Sequence, residues 1–483
     1  MNESAHEGVV ETLLGTWAPL GSRPIELVFH TGGESTSELA LALALAHIKP
    51  DCARVIHDPQ RSGLAARRRF GIDHRYSHIV SVDAGCLILE DLRPFLDANE
   101  LPFVGCYGRD RFRGLAQCGV HITRLDVVEA MCTIPEPVDS IEYLLSPEEY
   151  LRRIALRQRG FESVFKNFHI LSDYLQRSGD VFVKYVLRGL RARIGFAKMY
   201  LEPSMSSWGQ GVDFDVARHA LDYLANAVSI DATPWQVARY ICDLPYLAPL
   251  EVQKLGFDPG QSDQISIDDV DKAVASDPVT LGRSTNNFKV FGVGLSRTGT
   301  HSLTAALHVL GFDTVHYPTD SATLETLRRG DVRFPLLEYY DGITDITTSP
   351  YYEDFDRQWP GSKFVLTVRD EDSWLCSCRK HWAGLSTFRY GDGEEHRVFM
   401  EVRRFLEAAV YASYKFDEEH FRRVYRRHIQ NVTNYFAGRE CDLLVLNVVA
   451  GDGYELLAPF LGVPVPVQPF PHRGTKGKLV LTE

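Results

Sequence analysis

The chain of 483 residues has a net charge of −12 and an ordinary soluble composition, with 45% hydrophobic and 24% charged residues. That length predicts two or three domains, and the acidic balance argues against a general nucleic-acid binder. No apolar run reaches the roughly 18 residues of a membrane span, and the polar, acidic start is not a signal peptide. Nine cysteines without metal-ligand spacing or a disulfide framework indicate a reducing compartment, so we expect a cytoplasmic protein without a metal centre.

The chain begins with an alternation of predicted strands and helices. Apolar strand patterns occur at 25–30, 54–57 and 78–83, and an apolar helix pattern at 37–48 lies between the first two. Strands that alternate with helices are typical of a parallel α/β sheet. The third strand ends on a carboxylate, Asp83.

Residues 77–95 and 117–122 resemble nucleotide-sugar glycosyltransferases of the GT-A type. In that family the strand ends in Asp-x-Asp, and the two acids hold a divalent metal on the sugar-nucleotide diphosphate. Here Asp83 takes the first acidic position but Gly85 takes the second, and one carboxylate makes a poor Mg²⁺ or Mn²⁺ site. We therefore interpret residues 1–139 as a degenerate GT-A-like α/β domain, a scaffold or an acceptor-binding module. Metal-independent glycosyl transfer stays an open alternative, as does a plain α/β domain in which Asp83 caps a helix.

Residues 140–285 are expected to form a mainly helical region that ends in a linker. Residues 146–149 read Ser-Pro-Glu-Glu, a cap followed by a first-turn proline and acidic residues that favour a helix start. Apolar residues recur at helical spacing over 161–175 and 181–194. The polar stretch 256–277, with Pro-Gly and several aspartates, is the linker candidate.

An apolar strand, a Gly/Ser/Thr turn and a helix follow one another in residues 290–310. The turn carries one cation, Arg297, and opens the helix predicted at 302–310. This arrangement aims backbone N–H groups and a helix N-terminus at a bound phosphate or sulfate. The P-loop of nucleotide hydrolases needs Gly-x4-Gly-Lys-Ser/Thr, which this turn lacks. Taken alone, the pattern is also compatible with a tight turn in any α/β domain.

A second anion-binding pattern lies in residues 363–377. Residues 363–368 are predicted as a buried strand, Arg369 ends it, and Ser377 lies eight residues later in the following helix. A bidentate guanidinium and a facing hydroxyl suit a phosphate dianion. The alternative is that Arg369 pairs with a neighbouring aspartate and that Ser377 lies on a helix surface.

These two elements and the closing segment 456–472 resemble sulfotransferases that use 3′-phosphoadenosine 5′-phosphosulfate (PAPS), in the branch with Arg-Thr-Gly-Thr, over about residues 286–475. The resemblance implies a P-loop-like, three-layer α/β/α domain with a parallel sheet at 286–483. It implies that the turn binds the 5′-phosphosulfate, and that Arg369 and Ser377 bind the 3′-phosphate. It assigns cofactor binding to Ser296, Arg297, Thr298, Gly299, Thr300, His301, Ser302, Arg369, Ser377 and, in a late basic loop, Arg473.

The resemblance also suggests which residues carry the reaction. Arg297 stands where cytosolic sulfotransferases have a loop lysine, and because arginine keeps its proton it can only stabilise charge. Asp345 is the first candidate for the base, because it ends an apolar stretch near the sheet's carboxyl edge and burial would raise its pKa. His316 is the second candidate and has the better intrinsic pKa. A structural role stays open for either residue.

The sequence therefore predicts a PAPS-dependent sulfotransferase that acts on a hydroxyl of a small molecule or glycan, forms adenosine 3′,5′-bisphosphate and requires no metal. A bifunctional glycosyltransferase/sulfotransferase is the main enzymatic alternative. A nucleotide-sugar glycosyltransferase with a non-catalytic second half, a nucleotide kinase and a binding module without turnover are the others. No nucleic-acid or membrane partner is expected, and neither the acceptor nor the oligomeric state is specified by the sequence.

Overall fold

The computed structural model describes residues 10–17, 21, 23–58, 75–137, 139–193, 201, 205, 208–260, 268, 270, 288–384, 393–466 and 469–471. The chain divides into two compact units, Met1–Asp277 and Pro278–Glu483. Each unit contains its own sheet and helices, so the predicted mixed α/β class is confirmed.

The first unit is built on one mixed sheet. Its strands are β1 (Val10–Thr16), β2 (Ile25–Thr31), β3 (Cys52–His57), β4 (His78–Asp83), β5 (Cys86–Ile88), β6 (Phe103–Asp110), β7 (Gly114–Arg124) and β8 (Val164–Ser172). They pair in the order β1-β3-β2-β4-β7-β6-β8-β5. The helices are α1 (Ser37–Ile48), α2 (Arg93–Ala98), α3 (Leu125–Thr133), α4 (Ile141–Leu145), α5 (Pro147–Gln158), α6 (Ser178–Ala192), α7 (Val212–Ala227) and α8 (Pro234–Lys254).

Strand β2 lies in the parallel part of this sheet. It pairs in parallel with β3 on one side and with β4 on the other, and residues 25–30 are all buried, as expected for a strand that is covered on both faces. The chain therefore leaves β2 toward β3 and later crosses to β4. Such a reversal opens a crevice at the carboxyl ends of β2 and β4.

Most predicted elements of the first unit are confirmed, and one is wrong. The strand patterns correspond to β2, β3 and β4, and the helix patterns at 37–48 and 181–194 correspond to α1 and α6. Residues 161–175, expected to be helical, instead contain β8, which pairs with β5 and β6. The segment Val164–Ser172 is rich in aromatic and β-branched residues, and pairing with two strands outweighs a short helical period. The sheet thus extends beyond residue 139, while the division into three domains stays a prediction.

The second unit is built on one parallel sheet. Its strands are β9 (Val290–Gly292), β10 (Thr314–His316), β11 (Gly342–Thr344), β12 (Lys363–Thr367) and β13 (Leu443–Leu446), in the order β10-β11-β9-β12-β13. All the pairings are parallel. The helices are α9 (Thr300–Val309), α10 (Ser321–Arg329), α11 (Tyr352–Gln358), α12 (Glu371–Gly384), α13 (Gly393–Tyr411), α14 (Glu418–Tyr435) and α15 (Tyr454–Phe460), with short 3-10 turns at Pro335–Glu338 and Val448–Ala450.

Alternate residues of the central strands face two different cores. Phe291 and Phe364 belong to one core, together with Trp374, whereas Val290 and Val365 belong to the other. Successive side chains of a strand point to opposite faces, so this sheet is covered by helices on both sides. The predicted three-layer α/β/α arrangement with a parallel sheet is confirmed.

Candidate functional site

The turn after β9 is held tightly against the end of β12. The Thr298 hydroxyl donates to the carbonyl of Leu295 at 2.6 Å and lies 2.6 Å from the Thr367 hydroxyl. A Cβ at Gly294 would lie 1.9 Å from the Thr367 hydroxyl, so only glycine fits there. Helix α9 then begins at Thr300, two residues before the predicted start, and its first-turn N–H groups lack intrahelical acceptors. The predicted strand, turn and helix are therefore confirmed.

Asp345 lies at the end of β11 and gathers hydrogen bonds from several elements. Its Oδ1 accepts from the Ser296 hydroxyl at 2.5 Å and from the Ile346 N–H at 2.6 Å. Its Oδ2 accepts from the Thr300 hydroxyl at 2.6 Å and lies 3.0 Å from His316 Nε2. Both carboxylate oxygens are thus occupied, and the side chain joins the turn, helix α9 and His316.

The surroundings of Asp345 overturn one expectation about its pKa. Burial, the largest single influence, raises the pKa, but the contacts with His316, Ser296 and Thr300 together outweigh it. The pKa of Asp345 is therefore lowered from its ordinary value, and the expectation that burial would raise it is wrong. A carboxylate that stays ionised and has both oxygens hydrogen-bonded is a weak proton acceptor.

His316 ends β10 and lies beside Asp345. Its Nε2 also lies 3.2 Å from the Thr300 hydroxyl, and its ring stacks on His301 with the ring centres 3.5 Å apart. The sequence placed His301 on the cofactor, and the structure adds this contact with His316. A carboxylate on one ring nitrogen fixes the orientation of an imidazole and stabilises its protonated form.

Arg297, Arg369 and Ser377 come together beside the turn. The Arg297 Nε donates to the Ser377 hydroxyl at 3.2 Å, and Arg369 Nη1 donates to the carbonyl of Arg297 at 3.4 Å. Arg369 Nε donates to the Ser373 hydroxyl at 2.8 Å. Burial lowers the pKa of Arg297, whereas nearby Asp345 opposes that shift. Two guanidinium groups and a hydroxyl therefore face one edge of the sheet.

The alternative pairing of Arg369 with a neighbouring aspartate does not describe these contacts. Asp370 accepts from the Ser373 N–H at 2.8 Å, and Asp372 lies 3.0 Å from Arg422. Each aspartate thus has a partner of its own at the start of helix α12. Ser377, only 4% exposed, is not a surface residue.

Several supporting residues were missed or misread at the sequence level. Trp374 is fully buried, donates from Nε1 to the carbonyl of Ser296 at 2.9 Å and stacks on Tyr425. The Tyr425 hydroxyl accepts from the Arg369 N–H at 2.8 Å. Trp374 follows Arg369 by five residues, a spacing that could have suggested a support for the turn. Tyr425 comes from the distant helix α14, and no local signal identifies it.

Three non-glycine residues at this edge have left-handed backbones. The φ angles are +76° for Arg297, +48° for Tyr317 and +78° for Asp345. Such conformations cost on the order of 1–3 kcal/mol each and concentrate at functional sites. The strain therefore marks the same turn, strand end and base candidate that the hydrogen bonds connect.

Two further findings bear on ligands and membranes. Within the described ranges, no three His, Cys, Asp or Glu side chains come together as ligands for a metal ion. Among the helices that the structure describes, none is both long enough and apolar enough to cross a membrane. Arg473, predicted to touch the 3′-phosphate, lies outside the described residues.

Comparisons with known proteins find similarity over parts of the chain. Residues 289–479 match the family model of the sulfotransferase domain. Ava biosynthesis cluster protein M from Aspergillus versicolor is 26% identical over 223 residues, which cover 38% of this chain and 80% of that protein.

A solved structure is similar to part of the chain. A protein described as a glucose-1-phosphate thymidylyltransferase from Bacillus anthracis, in complex with a sucrose, shares 12% identity over 29% of this chain and 67% of its own, with a TM-score of 0.18. A TM-score this low carries no argument about fold or function. The family match over residues 289–479 does carry an argument, because it includes the turn, the two arginines and the His316–Asp345 pair. This part of the chain is a sulfotransferase domain.

Proposed function

We propose that this domain transfers a sulfuryl group from PAPS to a hydroxyl of a small molecule or glycan and releases adenosine 3′,5′-bisphosphate. One observation carries the proposal. A turn shaped for an anion, two guanidinium groups and an imidazole–carboxylate pair converge at the carboxyl edge of one parallel sheet. In such sheets ligands bind at this edge.

The residues present fit the donor. In the proposed complex the N–H groups of the turn and of the start of helix α9 hold the phosphosulfate, aided by Arg297. Arg369 and Ser377 hold the 3′-phosphate, because a guanidinium and a hydroxyl match its oxygens. Gly294 supports the fit, since its lack of a side chain lets the turn lie directly on β12.

His316 is the proposed base, and Asp345 is proposed as the residue that positions it. The acceptor oxygen forms a bond to sulfur while the bond between sulfur and the bridging phosphate oxygen breaks. The acceptor proton moves to His316, at Nδ1 because Nε2 faces Asp345, and the ionised carboxylate stabilises the imidazolium. Arg297 stabilises the charge that develops on the leaving oxygen. This assignment reverses the order of the two base candidates, because the oxygens of Asp345 are already hydrogen-bonded.

We also propose that the protein works in the cytoplasm. All nine cysteines are free, and none is paired in a disulfide. Free thiols persist in a reducing compartment. This supports the compartment predicted from the sequence.

The experiment is a transfer assay with PAPS and a panel of phenols, alcohols and sugars, in which release of adenosine 3′,5′-bisphosphate is measured. We expect at least one acceptor class to be sulfated, and Arg297→Ala to reduce turnover about 100- to 1000-fold. Arg379→Ala is the matched control, because Arg379 is an exposed arginine that pairs with Glu418. Equal turnover by wild type and Arg297→Ala would contradict the proposal.

A further inference from the structure

Helix α12 presents a second polar residue beside the turn that follows β9. The Ser377 hydroxyl accepts from Arg297 Nε at 3.2 Å, and His381 lies four residues later in the same helix. Residues four apart share one face of a helix, so His381 lies one turn beyond Ser377 on that face. Burial lowers the pKa of His381 to about 4, and the opposing charges of Arg297 and Asp345 act on it as well. The ring is therefore uncharged at neutral pH and lies close to the site.

Tyr317 directly follows the proposed base, His316, at the end of β10. Its backbone N–H donates to the carbonyl of Thr344 at 3.1 Å, and its φ of +48° is left-handed. The side chain is half-buried, and burial raises the pKa of its hydroxyl, with Asp345 and Glu407 adding to the shift. The Tyr317 hydroxyl therefore keeps its proton at neutral pH and lies near both carboxylates.

One face of helix α13 borders the same space. Phe399, Arg403 and Glu407 recur every four residues and so share that face. The ring centres of Phe399 and Tyr317 lie 6.4 Å apart, and Arg403 Nε donates to Glu407 Oε1 at 2.8 Å. The side chains of Arg403 and Glu407 are only 13% and 6% exposed, so the two charges balance each other inside the fold. Helix α13 thus contributes an aromatic ring and a neutral ion pair.

Two polar groups that border this space have no hydrogen-bond partner among the residues that the structure describes. They are the hydroxyl of Tyr317 and the ring of His381. Both side chains are half-buried, where polar groups usually have a partner. A hydroxyl and a neutral imidazole can each donate and accept, so both suit a polar group of a ligand.

We propose that the acceptor is an uncharged phenol, that it lies against the ring of Tyr317, and that the Tyr317 hydroxyl and the His381 ring bind a second polar group on it. The inference rests on the proposed sulfuryl transfer and adds the acceptor class. The bordering groups are uncharged or balanced in pairs, so they favour a neutral acceptor over an anion. The rings of Tyr317 and Phe399 favour an aryl group, because aromatic rings pack well on one another.

A phenol also suits the proposed proton transfer. A phenolic hydroxyl has a pKa of about 10, whereas that of water is about 16, so a phenol gives its proton to an imidazole far more readily. The phenol oxygen forms the bond to sulfur, its proton passes to His316, and the bond between sulfur and the bridging phosphate oxygen breaks. The products are an aryl sulfate and adenosine 3′,5′-bisphosphate.

The test is a transfer assay with PAPS and five probes: catechol, phenol, cyclohexanol, methyl glucoside and para-hydroxybenzoate. Calorimetry with adenosine 3′,5′-bisphosphate first checks the donor site. We expect kcat/KM to be highest for catechol, which has a second polar group, and next highest for phenol. Cyclohexanol lacks the aromatic ring, methyl glucoside is a sugar and para-hydroxybenzoate carries a charge. For these three probes we expect a kcat/KM at least about tenfold below that of catechol.

Two variants separate acceptor recognition from a structural role. Tyr317→Phe removes only the hydroxyl and should lower kcat/KM for catechol about tenfold, mainly through KM, because one hydrogen bond is lost. The loss for phenol should be at most about threefold, because phenol has no second polar group. His381→Phe should show the same dependence on the probe, and both variants should bind adenosine 3′,5′-bisphosphate as wild type does. Tyr414→Phe, at a tyrosine that is 59% exposed, is the matched control and should leave turnover unchanged.

Three outcomes would overturn the inference while the donor site binds its nucleotide. The first is that cyclohexanol, methyl glucoside or para-hydroxybenzoate is sulfated as efficiently as catechol, and the second is that no probe is sulfated. The third is that both variants lower turnover of catechol and phenol by the same factor, which would assign them a structural role. Thermal unfolding shows whether each variant folds, and because the two residues lie on different elements either variant can decide. Failure of nucleotide binding together with failure of sulfation would overturn the proposed function and this inference with it.

Discussion

At the carboxyl edge of the five-stranded sheet one buried carboxylate, Asp345, collects hydroxyl groups and an imidazole. At the corresponding edge of the eight-stranded sheet the buried carboxylates Asp110 and Asp173 collect guanidinium and ammonium groups instead. Both edges contain non-glycine residues with left-handed backbones. Topology therefore places buried carboxylates at the carboxyl edge of both sheets. The partners of these carboxylates decide which chemistry is available there.

The two edges differ in the groups that their buried carboxylates contact. The second unit presents His316 next to Asp345, a pair that the proposed mechanism uses for proton transfer. The first unit presents cations that are paired with buried carboxylates, an arrangement that neutralises charge inside the fold. The expected effects below separate these two roles.

The largest effect is expected from removing the imidazole. His316→Ala should lower the rate of sulfuryl transfer about 100- to 10,000-fold, because a positioned base contributes that much. Affinity for adenosine 3′,5′-bisphosphate should stay within about twofold of wild type, since His316 is not among the proposed phosphate ligands. Steady-state turnover and calorimetry measure the two quantities.

His47→Ala, in helix α1 of the first unit, is the matched histidine control and should leave turnover unchanged. If His316→Ala retained wild-type turnover, His316 would not be the base. Asp345 would then regain that role.

A glycine substitution compares how rigid the two edges are. Gly294→Ala should lower the free energy of unfolding of the second unit by about 1–3 kcal/mol or more, because the new Cβ would meet the hydroxyl and the backbone carbonyl of Thr367. Gly85→Ala should have a much smaller effect, because its new Cβ meets the flexible end of Lys184. Urea unfolding of the two variants gives the comparison, and equal losses would show that the turn after β9 can move.

Much of the carboxyl edge of the five-stranded sheet was predictable from local sequence, because parallel strands place the residues that follow them at the same edge of the sheet. The positions of Arg297, His316, Asp345 and Arg369 at strand ends follow from that rule. The pKa direction of Asp345 did not follow, because it depends on Ser296 and on other donors that are remote in sequence.

The strand β8 shows the same limit within the first unit. Its apolar residues fit either a helical or an extended period, and its two neighbouring strands decide the outcome. The network around Asp110 was likewise hidden, because Arg188 is 78 residues away from it along the chain. The local sequence pattern predicted the helices, the strands and the sheet edges well. Pairing between residues that are remote in sequence determined the charges at those edges.

A smaller effect, on the free energy of unfolding, is expected from Asp345→Asn, and this effect depends on pH. The folded-state pKa of Asp345 is lowered, so its stabilisation is fully present above the unfolded value of 3.8 and is lost as pH falls through the folded pKa. Asp345→Asn should therefore cost about 1.5–3 kcal/mol of unfolding free energy at pH 7. The difference from wild type should shrink below about pH 4.

Urea titrations at pH 7 and at pH 3 measure this difference. Asp370→Asn, at an exposed cap of helix α12, serves as the control carboxylate. If the difference in unfolding free energy between wild type and Asp345→Asn grew toward acid pH, the folded pKa of Asp345 would be raised, as first expected from its burial.

The central claim is that the second unit binds a 3′-phosphorylated adenosine nucleotide through Arg369, and calorimetric titration with adenosine 3′,5′-bisphosphate tests it most directly. Wild type should bind, and Arg369→Ala should bind at least about thirtyfold more weakly, because hydrogen bonds to a charged group are lost. Arg379→Ala, at an exposed arginine of helix α12, should bind as wild type does. Absence of binding by folded wild type, or equal binding by Arg369→Ala, would contradict the account.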